Sequence, residues 1–206
     1  MKDYGSLSRH KWAIPLEIAM AAGAVVTFTQ GNWKHFAISV FTFVVSFAPL
    51  WFERIVRVRL PALLQVTYVA FIFLSMFSGE VIGMYGRLWE WDDLVHLASG
   101  FLIGAAGVVG LAELSREHVR MPAWMQATFI FGLVASIVLL WEVAEFASDE
   151  LFGTFSQGAD LFDTMMDLIY GVSSGLIVAL ALVFHLKKRR IRLFDALIKT
   201  YAKLNR

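Results

Sequence analysis

The stretch WDDLVHLASGFLIGAAGVVGLAEL, Trp91 to Leu114, decides the fold class. From Leu94 onward it is an almost unbroken apolar run. As a helix it is long enough to cross roughly 30 Å of hydrocarbon, which takes about 20 such residues. Its mouth carries two aspartates and a histidine, Asp92, Asp93 and His96, groups that are costly beside lipid. One segment therefore predicts a membrane span and a concentration of polar side chains at its end.

Five further stretches have the same character: Ala13–Gln30, His35–Phe52, Ala62–Ser78, Ala123–Ala147 and Asp163–Leu186. Pro15, Pro61 and Pro122 fall at first turns, where a missing N–H costs little, and Pro49 is placed to kink the second span. Hydrophobic residues make up 58% of the chain and charged residues 17%, an imbalance foreign to a soluble domain. Mean hydropathy is +0.65. The fold class expected is all-α: a polytopic membrane protein with six transmembrane helices (residues 1–190), followed by an amphipathic cytoplasmic helix (residues 191–206). No small-residue cleavage motif follows the polar MKDYGSLSRHKW, so no removable signal peptide is expected.

Charge fixes an expected orientation. The N-terminus, the second and fourth loops and the C-terminal tail hold 16 of the 18 basic residues, leaving Lys34 and Arg87 for the other face. The positive-inside rule then places both termini in the cytoplasm. In the tail, Leu193, Phe194, Leu197, Ile198, Tyr201 and Leu204 share one helical face, with Arg192, Lys199 and Lys203 on the other, which suits a helix lying on an anionic leaflet. Membrane lipid is thus an expected partner. Nucleic acid is not, because topology already accounts for the basic residues.

Acids run the other way. Eleven of 17 lie at or near the expected outer face, and several sit inside spans, although acids contribute little to topology. Asp92 and Asp93 stand four and three residues before His96, and Glu142 and Glu145 are three apart in WEVAEF. Asp160, Asp163 and Asp167 follow a helical spacing at the start of the last span. These ends lie at one membrane level. Asp92 and Asp160 read equally well as helix caps, and Asp149 and Glu150 as solvated loop acids. Asp93, His96, Glu142, Glu145, Asp163 and Asp167 are the candidate ligands.

Two carboxylates about 4 Å apart repel by roughly 4 kcal/mol at an effective dielectric of 20. A group of them needs shared protons or a bound cation. Oxygen donors with one imidazole suit a divalent ion: Mg²⁺, Mn²⁺, Ca²⁺, Fe²⁺ or Zn²⁺. The chain has no cysteine, so thiolate sites are excluded. Of five histidines only His35 and His96 face outward, which excludes a three-histidine zinc site. His35 reads as the start of the second span. Gly100, Gly104, Gly107 and Gly110 in the fourth span and Gly171, Ser174 and Gly175 in the sixth permit close helix approach, which would bring Asp93 and His96 toward Asp163 and Asp167. Glu17 reads as a side chain snorkelling to the cytoplasmic interface, and Trp89, Trp91 and Trp141 flank the cluster.

The segments WEWDDLVHLASGFLIGA, WEVAEF and QGADLFDTMMDLIYGVSSG resemble the bacterial inner-membrane proteins of the YjdF type and, more loosely, the VanZ-like superfamily. The resemblance rests on Asp92, Asp93 and His96, on Glu142 and Glu145, and on Asp163, Thr164 and Asp167. It covers about Trp89 to Gly175 and implies a multipass bacterial membrane protein. VanZ-like proteins are linked to glycopeptide resistance and the cell envelope, and no settled reaction comes with the resemblance. The function expected is a metal-dependent membrane enzyme acting on a lipid or lipid-linked envelope precursor through one or two ions. The alternative is a proton- or cation-coupled transporter or channel.

Overall fold

The structure, a computed structural model, describes residues 10–154, 156–157, 161–187 and 190–206. Among them there is no strand. The helices are α1 (Ile14–Thr29), α2 (Trp33–Val45), α3 (Ala48–Val56), α4 (Ala62–Ile72), α5 (Trp91–Arg116), α6 (Ala123–Phe152), α7 (Leu161–Lys187) and α8 (Arg192–Leu204). A π-helical stretch, Phe73–Val81, continues α4.

Among the described residues, five segments are long and apolar enough to cross a membrane: Trp33–Val56, Ala62–Val81, Trp91–Arg116, Ala123–Phe152 and Leu161–Lys187. The first apolar run gives only α1, which is 16 residues long. The second run is broken rather than continuous. α2 ends before Ser46, and Pro49 lies in the first turn of α3, where its ring is tolerated. His35 sits in the first turn of α2, where its N–H donates to the Asn32 side chain at 3.1 Å, a helix cap.

The chain forms two compact units. One comprises the chain up to Trp91 together with Thr200–Arg206, the other Asp92–Lys199. In the first, Met20, Val69 and Phe77 gather around Ala13, and Asn205 clasps Arg59, accepting from its N–H at 2.7 Å and donating to its carbonyl at 2.8 Å. In the second, Val108, Leu111, Ile130, Val178 and Leu182 form a buried cluster that Phe194 of α8 joins.

Small residues set the packing of the second unit. A methyl group at Gly100 of α5 would stand 1.9 Å from Ser174 Oγ and 2.3 Å from the Gly171 carbonyl of α7. One at Gly107 would meet Ile130 of α6 at 2.6 Å, and ones at Gly171 and Gly175 would meet Val138 and Val134 of α6. α5, α6 and α7 thus touch along glycine faces. In lipid, where apolar burial gives helices little reason to associate, such close packing supplies much of the attraction.

The tail differs from a helix whose whole apolar face is free for lipid. Phe194, Leu197 and Tyr201 are buried within the protein, and Leu193 is exposed.

Candidate metal centre

α5 and α7 begin, and α6 ends, at the same end of the second unit, and each delivers acids there. His96, one turn into α5, is 5% exposed and stands among three carboxylates. Its Nε2 lies 3.5 Å from Asp92 Oδ1 and 3.8 Å from Asp167 Oδ1, and its Nδ1 lies 3.7 Å from Glu142 Oε1. Two groups of potential ligand atoms result, each within 4.8 Å: Asp92, His96 and Asp167, and His96, Glu142 and Glu145.

Burial makes these contacts costly. Glu142 is 4% exposed and Asp167 3%. Both oxygens of Glu142 and Oδ1 of Asp167 are buried without a hydrogen-bond partner among the described residues. A buried acceptor left unmet costs about 1–3 kcal/mol, and more when charged. Glu145 is better placed, accepting from the indole N–H of Trp141 at 3.0 Å.

The structure therefore brings together four of the six candidate ligands, His96, Glu142, Glu145 and Asp167, and adds Asp92. Asp93 and Asp163 are half-buried and engaged in polar interactions of their own, and both stand outside the two groups. Asp163 still adds its charge to the field at Glu142 and Asp167. Asp160 lies outside the described residues. Asp149 closes the end of α6, accepting from Thr154 Oγ1 and the Ser156 N–H.

Sequence reasoning missed a second buried polar group, in the first unit. Glu17 does not snorkel. It is 5% exposed and lies 2.5 Å from Nε2 of the fully buried His10. The other nitrogen of His10 is 3.3 Å from Gln65 Oε1, while Gln65 Nε2 donates to Glu53 Oε1 at 2.9 Å and to the Leu60 carbonyl at 3.3 Å. Those two acceptors fix the amide, so its oxygen faces His10 and calls for an Nδ1–H there. A proton must also lie between Nε2 and Glu17, because two lone pairs at that distance would repel. His10, Glu17, Gln65 and Glu53 form one chain of hydrogen bonds. The only sequence signal was the presence of Glu17 and Gln65 inside apolar runs.

Removing the imidazole strands two buried partners. His10→Ala is expected to cost about 3 kcal/mol or more and to lower the melting midpoint in detergent by roughly 10 °C. Thermal unfolding followed by tryptophan fluorescence checks it, and an unchanged midpoint would show the network to be energetically idle.

The family described as "Predicted membrane protein (DUF2238)" matches residues 12–188. The chain belongs to this family. The DUF2238 match includes every helix from α1 to α7 and both buried networks except His10. A Thermotoga maritima relative, described as an uncharacterized protein, is 27% identical over 125 residues, 61% of this chain and 64% of its own length. No solved structure matches the chain. Membership makes the DUF2238 chain a membrane protein. The exposed apolar side chains of α6, Leu139, Leu140, Val143 and Phe146 among them, accordingly face lipid.

Proposed function

We propose that the His96 cluster binds a divalent cation, and that the protein is a metal-dependent enzyme of the bacterial inner membrane. Its substrate would be a lipid or a lipid-linked cell-envelope precursor at the extracytoplasmic leaflet. The observation that carries the reading is the trio of orphaned carboxylate oxygens, both of Glu142 and one of Asp167, beside an imidazole. The spacing supports it too. Metal–ligand bonds of about 2.0–2.6 Å put neighbouring ligand atoms roughly 3–4 Å apart, and Asp92 and Asp167 stand 3.5 and 3.8 Å from His96 Nε2. These are too long for good hydrogen bonds. Asp92, Asp93, Asp163 and Glu145 complete the pool of donors. Mg²⁺, Mn²⁺, Ca²⁺, Fe²⁺ and Zn²⁺ all suit carboxylates with one imidazole. Bound there, such an ion supplies Lewis acidity and an activated water. The VanZ-like resemblance points the substrate toward the envelope.

The orientation proposed has six crossings with both termini cytoplasmic. It counts α1, whose rise of roughly 24 Å approaches the hydrocarbon thickness. It rests on the basic residues, which are confined almost wholly to one set of loops. α8 then lies at the inner leaflet with exposed Leu193, Arg192, Lys199 and Lys203 turned to lipid headgroups.

The test is metal content. Elemental analysis of purified protein is expected to find stoichiometric divalent metal, and chelation is expected to lower its melting temperature. Protein free of metal, with melting indifferent to both chelator and added cation, would end the reading.

A second reading, proton- or cation-coupled transport, is favoured by the buried His10–Glu17–Gln65–Glu53 chain, since transport paths need protonatable groups beyond one site. Cation flux into proteoliposomes that vanishes in Asp167→Asn would favour it over an enzyme.

A further inference from the structure

We infer that the cluster holds one cation, on the Nε2 side of His96 with Asp92 and Asp167, and that Glu142 is a positioning residue that accepts the Nδ1 proton of the same ring. This rests on the reading of the cluster as a cation site.

One imidazole serves two acidic groups. A neutral imidazole has one lone pair and one N–H. It can ligate a metal through one nitrogen while donating from the other, but it cannot ligate at both without losing its last proton. Carboxylates stand on both sides: Asp92 and Asp167 near Nε2, Glu142 near Nδ1. Only one side can therefore be a metal site that uses the neutral ring. The other must be a hydrogen-bond acceptor, which is the usual partner of a metal-bound histidine.

Exposure decides which side is which. The Asp92 side chain is 31% exposed, whereas that of Glu142 is 4% exposed. A hydrated cation can reach the Nε2 side past Asp92, whereas on the other side Glu142 is buried and the half-buried Glu145 already accepts from the Trp141 indole. Orphaned atoms agree with this. A cation at Nε2 satisfies Asp167 Oδ1, and the Nδ1–H satisfies one of the two Glu142 oxygens, so the two buried carboxylates find different partners. The 3.7 Å gap from Nδ1 to Glu142 closes to hydrogen-bond length with less than about 1 Å of side-chain movement. Sequence spacing fits as well. Asp92 and His96 are one turn apart on α5, a rigid pair, with Asp167 completing the set from α7. Two carboxylates balance a divalent charge. Three protein ligands leave open positions for water and substrate, as catalytic sites require.

The experiment uses the full-length protein in detergent, stripped and reloaded with Mn²⁺ for titration or with ¹¹³Cd²⁺ for NMR. Wild type is expected to bind one Mn²⁺ per chain. Asp167→Asn is expected to weaken binding by about 100-fold or more, whereas Glu142→Gln keeps one site with affinity lowered roughly 10–100-fold, the usual loss for a group that orients a ligand. With ¹⁵N-labelled histidine, ¹¹³Cd coupling is expected at Nε2 of His96 and a proton at Nδ1. This wild-type spectrum decides even if a variant fails to fold. Two Mn²⁺ per chain, coupling at Nδ1, or abolition of binding by Glu142→Gln as complete as by Asp167→Asn would overturn the inference while leaving a cation site in place. No binding of either metal by the wild type would overturn the cation site itself.

Discussion

The Asp167→Asn protein is expected to melt higher than the wild type when metal is absent, and to lose the wild type's stabilisation by added cation. Asp167 is 3% exposed, its Oδ1 has no hydrogen-bond partner among the described residues, and Asp92, Glu142 and Asp163 add like charge around it. Asparagine keeps the shape and removes the charge. An uncompensated buried ion costs several kcal/mol, and His96 offsets part of that here. A gain of about 1–3 kcal/mol is therefore expected, or roughly 3–10 °C for a chain of this size. Cation at 100 times its Kd stabilises the wild type by about 2.7 kcal/mol through mass action, so the order of the two proteins should close or reverse. Paired melting curves in EDTA and in Mn²⁺ read both effects. A lower melting point for Asp167→Asn in EDTA would show that the carboxylate holds the helices together unaided, as an ordinary structural acid does.

Trp91–Leu114 carries much of the fold because the forces that act on it are local. A long apolar run must be a helix in lipid, since every backbone group needs an internal partner, and glycines at helical spacing permit a close neighbour, met at Gly100, Gly104 and Gly107 though not at Gly110. The pooling of His96, Glu142 and Asp167 follows from that spacing. Asp92 against Asp93 did not, because both lie within a turn of His96 and only the rotation of α5 against α7 selects between them. The break between α2 and α3 had its signal in Pro49. The π-helical stretch Phe73–Val81 had none, for an added residue per turn leaves no mark in an apolar sequence. It is accommodated where Gly79 leaves room for the Tyr85 ring, whose nearest carbon would stand 2.2 Å from a methyl group there. The His10 network was hidden for a different reason. Glu17 looks surface-bound when only its neighbours in sequence are considered, and its partner His10 is held in turn by Gln65, 55 residues further along the chain.

Gly100→Ala is expected to damage the cation site without touching a ligand. The new methyl would lie 1.9 Å from Ser174 Oγ and 2.3 Å from the Gly171 carbonyl. The hydroxyl can rotate away from its bond to that carbonyl, but the carbonyl belongs to the backbone of α7 and can move only with the helix. α5 and α7 must therefore separate at this point, at a cost of about 1–3 kcal/mol for overpacking. His96 lies one turn before Gly100, and Asp167 one turn before Gly171. Separation at the glycines thus opens the 3.8 Å gap between Nε2 and Asp167 Oδ1 almost one for one, and misplacement of about 1 Å can cost a preorganised site 100-fold. Lower melting and Mn²⁺ affinity reduced by about 10-fold or more should appear together. Gly110→Ala supplies the control on the same helix, because a methyl there meets nothing within 4 Å. It should be neutral or stabilising by up to about 1 kcal/mol through helix propensity. If Gly100→Ala binds Mn²⁺ as tightly as Gly110→Ala does, close contact between α5 and α7 is not what holds the ligands in place.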